Sequence, residues 1–138
     1  MLGLYLVLDN PAPMVADFPG AYREQPGFDC IREIPTWWDE TRVLRAEAGR
    51  LLAEARRRGD AWWLGAIGAR AARELELPLD FLGEGPHALR LWRDADDADA
   101  DPNLLTVEER AVTRATVLRV RLAPDGGGFV ARITPDAP

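Results

Sequence analysis

A chain of 138 residues with 47% hydrophobic and 29% charged side chains has the balance of one globular domain with room for a moderate core. Its net charge of −6 argues against nucleic acid and anionic membranes as partners, since both call for a basic surface. All 17 basic side chains are arginine and serine is absent, which excludes a lysine Schiff base and a serine nucleophile.

The first 35 residues carry Pro11, Pro13, Pro19, Pro26 and Pro35 between short apolar runs. They predict a helix end over about 1–9, a turn of helix near 13–18 and another near 27–33. Pro35 closes the segment because the residue before a proline avoids the helical region. The run from Met1 to Asp9 is too short to cross a bilayer. It also lacks the basic start and small-residue cleavage site of a signal peptide, and it reads as an element cut in its middle. Cys30 is expected to be a buried small hydrophobe, and a single cysteine leaves the redox compartment open.

From Asp39 the apolar pattern changes to period two. Arg50 to Arg58 is ambiguous: Leu51, Leu52, Ala53 and Ala55 favour helix, while the flanking segments read as strands. Ala61 to Ile67 is apolar on both faces, as a central strand would be. Glu74 to Phe81 alternates cleanly, with Leu75, Leu77, Leu79 and Phe81 on one face, and Pro78 marks it as an edge strand or a bulge. A turn over Gly83–Pro86 leads into a strand from His87 to Arg93. Thr116 to Leu122 alternates with Arg119 and Arg121 outward. Asp125–Gly128 is a turn, and Phe129 to Ile133 is the expected hairpin partner. About seven short strands at this spacing predict an all-β, antiparallel sandwich preceded by a short helical segment.

Candidate chemistry rests on carboxylates. His87 and Cys30 stand alone, too few for a four-coordinate zinc site. Asp97, Asp99, Asp101 and Glu108 fall at calcium-loop positions 1, 3, 5 and 12, but Pro102 occupies the position that needs a glycine turn, so a solvated acidic loop is expected. Asp39 and Glu40 are adjacent and point to opposite faces of a strand; Glu74 and Glu76 share an outward face. Neither pair is placed to flank a glycosidic bond. Trp37, Trp38, Trp62, Trp63 and Trp92 favour core or interface packing, with a sugar platform as the rival.

Pro35-Thr-Trp-Trp-Asp-Glu-Thr41 resembles a hallmark of glycoside hydrolase family 97, where a Pro-Thr-x-Trp-Asp-Glu-Thr segment joins the catalytic barrel to a C-terminal domain. Upstream, Leu4 to Pro11, Met14 to Asp17 and Pro19 to Tyr22 are similar to the family's last barrel helix and the loop after it. Downstream, Ala55 to Ala66, Leu75 to Gly85, Arg93-Asp94, Leu122-Ala123 and Gly126 to Phe129 follow in the family's order. Trp38 and Ala95 are small departures.

The resemblance implies a strand at 50–58. It divides the chain into the helical tail of a (β/α)8 barrel and its linker at 1–35, a β-sandwich at 36–134, and a tail at 135–138. It implies a structural and oligomerisation role, with the parent's barrel or a second copy as partner. The parent is implied to be a bacterial α-glucosidase or α-galactosidase, calcium-dependent, and periplasmic or secreted. Its catalytic and calcium-binding residues lie upstream of the matched region. No catalytic, cofactor or metal residue is therefore assigned here, and the interface candidates are Trp37, Trp38, Asp39, Glu40 and Thr41. The barrel tail would leave Leu4, Leu6, Val7, Leu8, Met14, Phe18 and Phe28 without a partner in this chain. An autonomous sugar-binding module is the alternative.

Overall fold

The computed structural model describes residues 2–16, 18–98 and 104–136. Three short helical pieces come first: α1 (Gly3–Val7), a 3₁₀ turn (Pro19–Tyr22) and α2 (Phe28–Glu33). Eight strands follow: β1 (Glu40–Glu47), β2 (Leu51–Arg58), β3 (Ala61–Gly68), β4 (Arg73–Pro78), β5 (His87–Asp94), β6 (Leu105–Val112), β7 (Val117–Leu122) and β8 (Gly128–Pro135).

All pairings are antiparallel. Six strands form one sheet in the order β1-β2-β3-β8-β5-β6, and β4 pairs with β7 in a second. Alternation decides what lies between them. Leu75 and Leu77 of β4 and Leu118, Val120 and Leu122 of β7 are buried, while Glu74, Glu76 and Arg119 face water. The buried set joins one cluster with Leu64, Leu89, Leu91, Phe129, Ala131 and Ile133 from the large sheet. Each fully buried leucine contributes about 2 kcal/mol of transfer free energy. The result is an all-β sandwich.

The other face of the large sheet is covered too. Leu6 of α1 and Cys30 of α2 pack with Trp63, Trp92 and Val130 in a second cluster. Two glycines allow the close approach. A Cβ on Gly3 would collide with the carbonyl of Ala66, and one on Gly65 with the side chain of Leu6. This arrangement explains why β3 is apolar on both faces: Trp62, Leu64 and Ala66 face the main core, and Trp63 faces the helices.

Several expectations hold. The segment 50–58 is a strand, because Ala53 and Ala55 are fully buried in the main core, which overrides their helix propensity. Pro78 ends β4, a strand with one neighbour, and Leu79 continues inward beyond it. α2 stops before Pro35, with Ile34 already extended. Cys30 is buried, and that burial, with Asp29 and Glu33 nearby, pushes its thiol well above the ordinary range.

Others are corrected. β7 and β8 do not form a hairpin: β7 pairs with β4, and β8 lies between β3 and β5. The glycine turn carries the chain from one sheet to the other. Asp94 Oδ2 fixes that crossing by accepting the N–H groups of Ala123 and Gly128, each at 2.9 Å. β6 is an eighth strand that the alternation did not reveal, since Glu108 and Glu109 interrupt its period. Residues 13–16 are not helical, and the 3₁₀ turn begins at Pro19, a residue pre-set for a first helical position. Finally, Leu6 and Val7 are not left bare. Both are buried on the sheet, whereas Leu8, Met14 and Phe18 are exposed.

Candidate interaction surface

The segment Trp37 to Thr41 is stitched to the turn between β2 and β3. Asp39 Oδ2 accepts the N–H of Gly59 at 2.7 Å, and Oδ1 accepts Arg58 Nη1 at 3.0 Å. The Gly59 bond first, and the Arg58 charge after it, hold the Asp39 carboxyl below its ordinary range. Glu40 takes Arg42 Nε at 2.6 Å and Arg57 Nε at 3.2 Å, and both hydrogen bonds lower its pKa. Trp38 is half-buried and meets Trp63 edge-on, with ring centroids 6.5 Å apart. Trp37 is exposed, but the Arg58 guanidinium lies over its ring. Thr41 is exposed on β1. The five candidates therefore come together at one corner of the large sheet, where Asp39 and Glu40 are occupied by contacts within the chain.

The sequence reading missed the polar lattice beneath the helices. One row crosses all six strands of the sheet: Thr41, Arg56, Trp63, Arg132, Arg90 and Glu109. Helix α2 lays its acids on it. Glu33 accepts Arg90 Nη1 at 3.3 Å and Arg132 Nη1 at 3.0 Å, and Asp29 accepts Arg90 Nη2 at 2.6 Å. Arg56 pairs with Glu54 at 3.0 Å; the two side chains are 6% and 10% exposed. Opposite charges two apart, following the apolar run Leu51 to Ala53, were the signal for that pair.

Among the described residues, neither carboxylate pair singled out in the sequence stands apart from the arginines as an acid and nucleophile would. Asp39 and Glu40 are bound as described, Glu76 meets Arg119 at 2.9 Å, and Glu74 is exposed beside it. Of the acidic loop, Asp99, Asp101 and Pro102 lie outside the described residues. Glu108 lies on β6, where it accepts Arg93 Nε at 2.6 Å. Among the described residues no group of three or more metal-ligating side chains converges. His87 is buried at the start of β5, with Nδ1 3.2 Å from the carbonyl of Gly85. Trp62, Trp63 and Trp92 are all buried.

Comparison with known proteins agrees with this arrangement. The family model for the glycosyl-hydrolase 97 C-terminal, oligomerisation, domain matches residues 37–134. The chain is 37% identical over 133 residues to a retaining alpha-galactosidase of Bacteroides thetaiotaomicron, covering 96% of this chain and 20% of that one. It is 33% identical over 129 residues to a probable retaining alpha-galactosidase of Streptomyces bingchenggensis, covering 91% and 19%. It thus spans about a fifth of the length of these curated relatives. A variant of a family 97 glycoside hydrolase from Pseudoalteromonas sp. strain K8 superposes with a TM-score of 0.91 at 34% identity, over 99% of this chain and 22% of that one. A beta-arabinopyranosidase superposes with a TM-score of 0.77 at 25% identity, over 95% and 20%. The chain is not catalytic alone, and with the family model covering its whole sandwich it belongs to the C-terminal, oligomerisation, family of glycoside hydrolase 97.

Proposed function

We propose that this chain is the packing and oligomerisation module of a larger α-glycosidase. Residues 1–35 would be the tail of the catalytic barrel and its linker, and residues 36–134 the module proper. The names of the curated relatives favour an α-galactoside, cleaved with retention, as the parent's substrate; an α-glucoside is the alternative. Retention needs two carboxyl groups about 5 Å apart across the scissile bond, and those groups, like any calcium ligands, would be supplied outside this chain.

The observation that carries the reading is where the apolar surface lies. Among the described residues the two most exposed large apolar side chains, Met14 at 88% and Phe18 at 69%, sit in the N-terminal segment, with Leu8 at 56% on the same stretch. A cavity of about 640 Å³ opens among Leu4, Leu8, Pro13, Met14 and Tyr22. Exposed apolar surface of this kind marks a face that another domain or subunit covers. A sugar-binding role is the weaker reading, because the single exposed tryptophan, Trp37, carries Arg58 on its ring.

Two measurements test this. Light scattering on the 138-residue chain is expected to give a mass above that of the monomer. Aryl α-galactosides and α-glucosides are expected to show no turnover. A monomer at every concentration reached would remove the oligomerisation role. Turnover abolished by a single Asp or Glu substitution in this chain would remove the division of labour.

A further inference from the structure

Among the described residues, four strands have only one paired neighbour: β1 and β6 in the large sheet, β4 and β7 in the small one. An unpaired strand edge is a template for another chain, and proteins block it with bulges, prolines, short strands or charge. β1 carries a register shift between Val43 and Arg45, flanked by Arg42 and Arg45. β4 ends in Pro78. β7 has six residues, with Arg119 and Arg121 outward. β6 has eight residues, contains no proline, and pairs with β5 residue for residue from Leu105 to Val112. It also exposes Val107 at 46%. Its one defence is charge: Glu108, Glu109 and Arg110.

We propose that β6 is the edge through which two copies of this chain associate, pairing antiparallel about a two-fold axis normal to the sheet at Glu109. The proposal rests on the oligomerisation role given above and names the surface that performs it. An axis normal to the sheet keeps each face continuous, so a residue on the axis meets its own copy and its neighbours pair reciprocally. With the axis at Glu109, Glu108 lies opposite Arg110 of the second copy, twice, on one face. Val107 lies opposite Ala111 of the second copy, twice, on the other. Moving the axis to Arg110 would bring two arginines together. Moving it to Glu108 would set Val107 against Glu109.

The chain's own contacts suit this register. Arg110 has no ion pair or hydrogen bond among the described residues. Glu108 gives one oxygen, Oε1, to Arg93 and keeps the other. The two copies of Glu109 on the axis would each have Arg90 Nε at 3.3 Å to offset their repulsion. The charges that would repel an arbitrary strand thus select a second β6 in this register.

The test uses the 138-residue chain. In Glu109→Cys the introduced thiol would face its own copy with Cα atoms about 4.5–5.5 Å apart, within disulfide reach. Cys30 is fully buried and does not compete. Mild oxidation is expected to give a covalent dimer on a non-reducing gel, whereas Thr41→Cys on β1 gives none. Arg110→Glu sets glutamate against Glu108 twice and is expected to raise the dimer dissociation constant about tenfold or more, with an unchanged circular dichroism spectrum. A dimer that neither cross-links at position 109 nor weakens in Arg110→Glu overturns the β6 interface and leaves the oligomerisation role standing. A chain monomeric at every concentration reached overturns both.

Discussion

Arg56 of β2 donates through Nη2 to the main-chain carbonyl of Val7, the last residue of α1, at 3.3 Å. The helix end is thereby satisfied by a side chain from the sandwich. Its N-terminal half is held by shape, through Gly3 against Ala66. The segment proposed as a barrel tail and the sandwich therefore share one packed layer, with consequences that mutation can measure.

Leu6 is fully buried among Cys30, Trp63, Trp92 and Val130. Leu6→Ala is expected to cost about 3 kcal/mol, the transfer of the lost carbons plus the cavity they leave. Deleting residues 1–34 goes further and bares Trp63, Trp92 and the arginine row. It should lower the melting temperature and the solubility, measured by calorimetry and light scattering. A truncated chain as stable and soluble as the full one would show that the helices only rest on the sheet.

Arg56→Ala leaves Glu54 as a nearly buried, unpaired carboxylate and frees the Val7 carbonyl. Breaking a buried pair from one side costs about 3–5 kcal/mol. The double substitution Glu54→Leu, Arg56→Met is expected to recover most of that loss, because neither member then remains as an orphan charge. Urea denaturation of Glu54→Leu, of Arg56→Met and of the double variant closes the cycle. A loss in the double variant equal to the sum of the two single losses would mean that the pair itself is immaterial.

Asp94→Ala removes the acceptor for two backbone N–H groups at the crossing between sheets. Hydrogen bonds to a charged acceptor contribute about 1.5–3 kcal/mol, so a loss of at least about 2 kcal/mol is expected. Hydrogen exchange should rise first at Ala123 and Gly128, ahead of the strands. Uniform exchange across β7 and β8 would place the constraint elsewhere.

The acid limb of stability should depend on Asp39. Its folded pKa lies below the ordinary value because the Gly59 N–H and then Arg58 favour the carboxylate. A depressed pKa contributes stability that is fully present above the ordinary aspartate value, about 4, and is lost as pH falls through the folded value. Asp39→Asn should therefore unfold more easily than the parent near neutrality, and the two curves should converge as pH drops below that value. A constant gap at all pH values would exclude this linkage.

Much of the sandwich was legible because alternation is a local property. Leu75, Leu77, Leu118 and Val120 announced their buried face by spacing alone, and β3 announced two. Composition alone excluded serine, lysine and zinc-site chemistry, and the ordered blocks around the Pro-Thr-Trp-Trp-Asp-Glu-Thr run suggested the family. What the sequence did not disclose are relations between distant residues. Period two marks a strand's faces but not its neighbours, so β7 looked like the partner of β8 when its side chains complete the sheet with β4. Adjacent glutamates hid β6, because an edge strand with one half-solvated face has little apolar pattern to display. The apolar run at the N-terminus showed no partner for Leu6, because Trp63, Trp92 and Val130 lie more than fifty residues away. Burial on a second face is decided by what the tertiary fold brings there, and no local spacing encodes it.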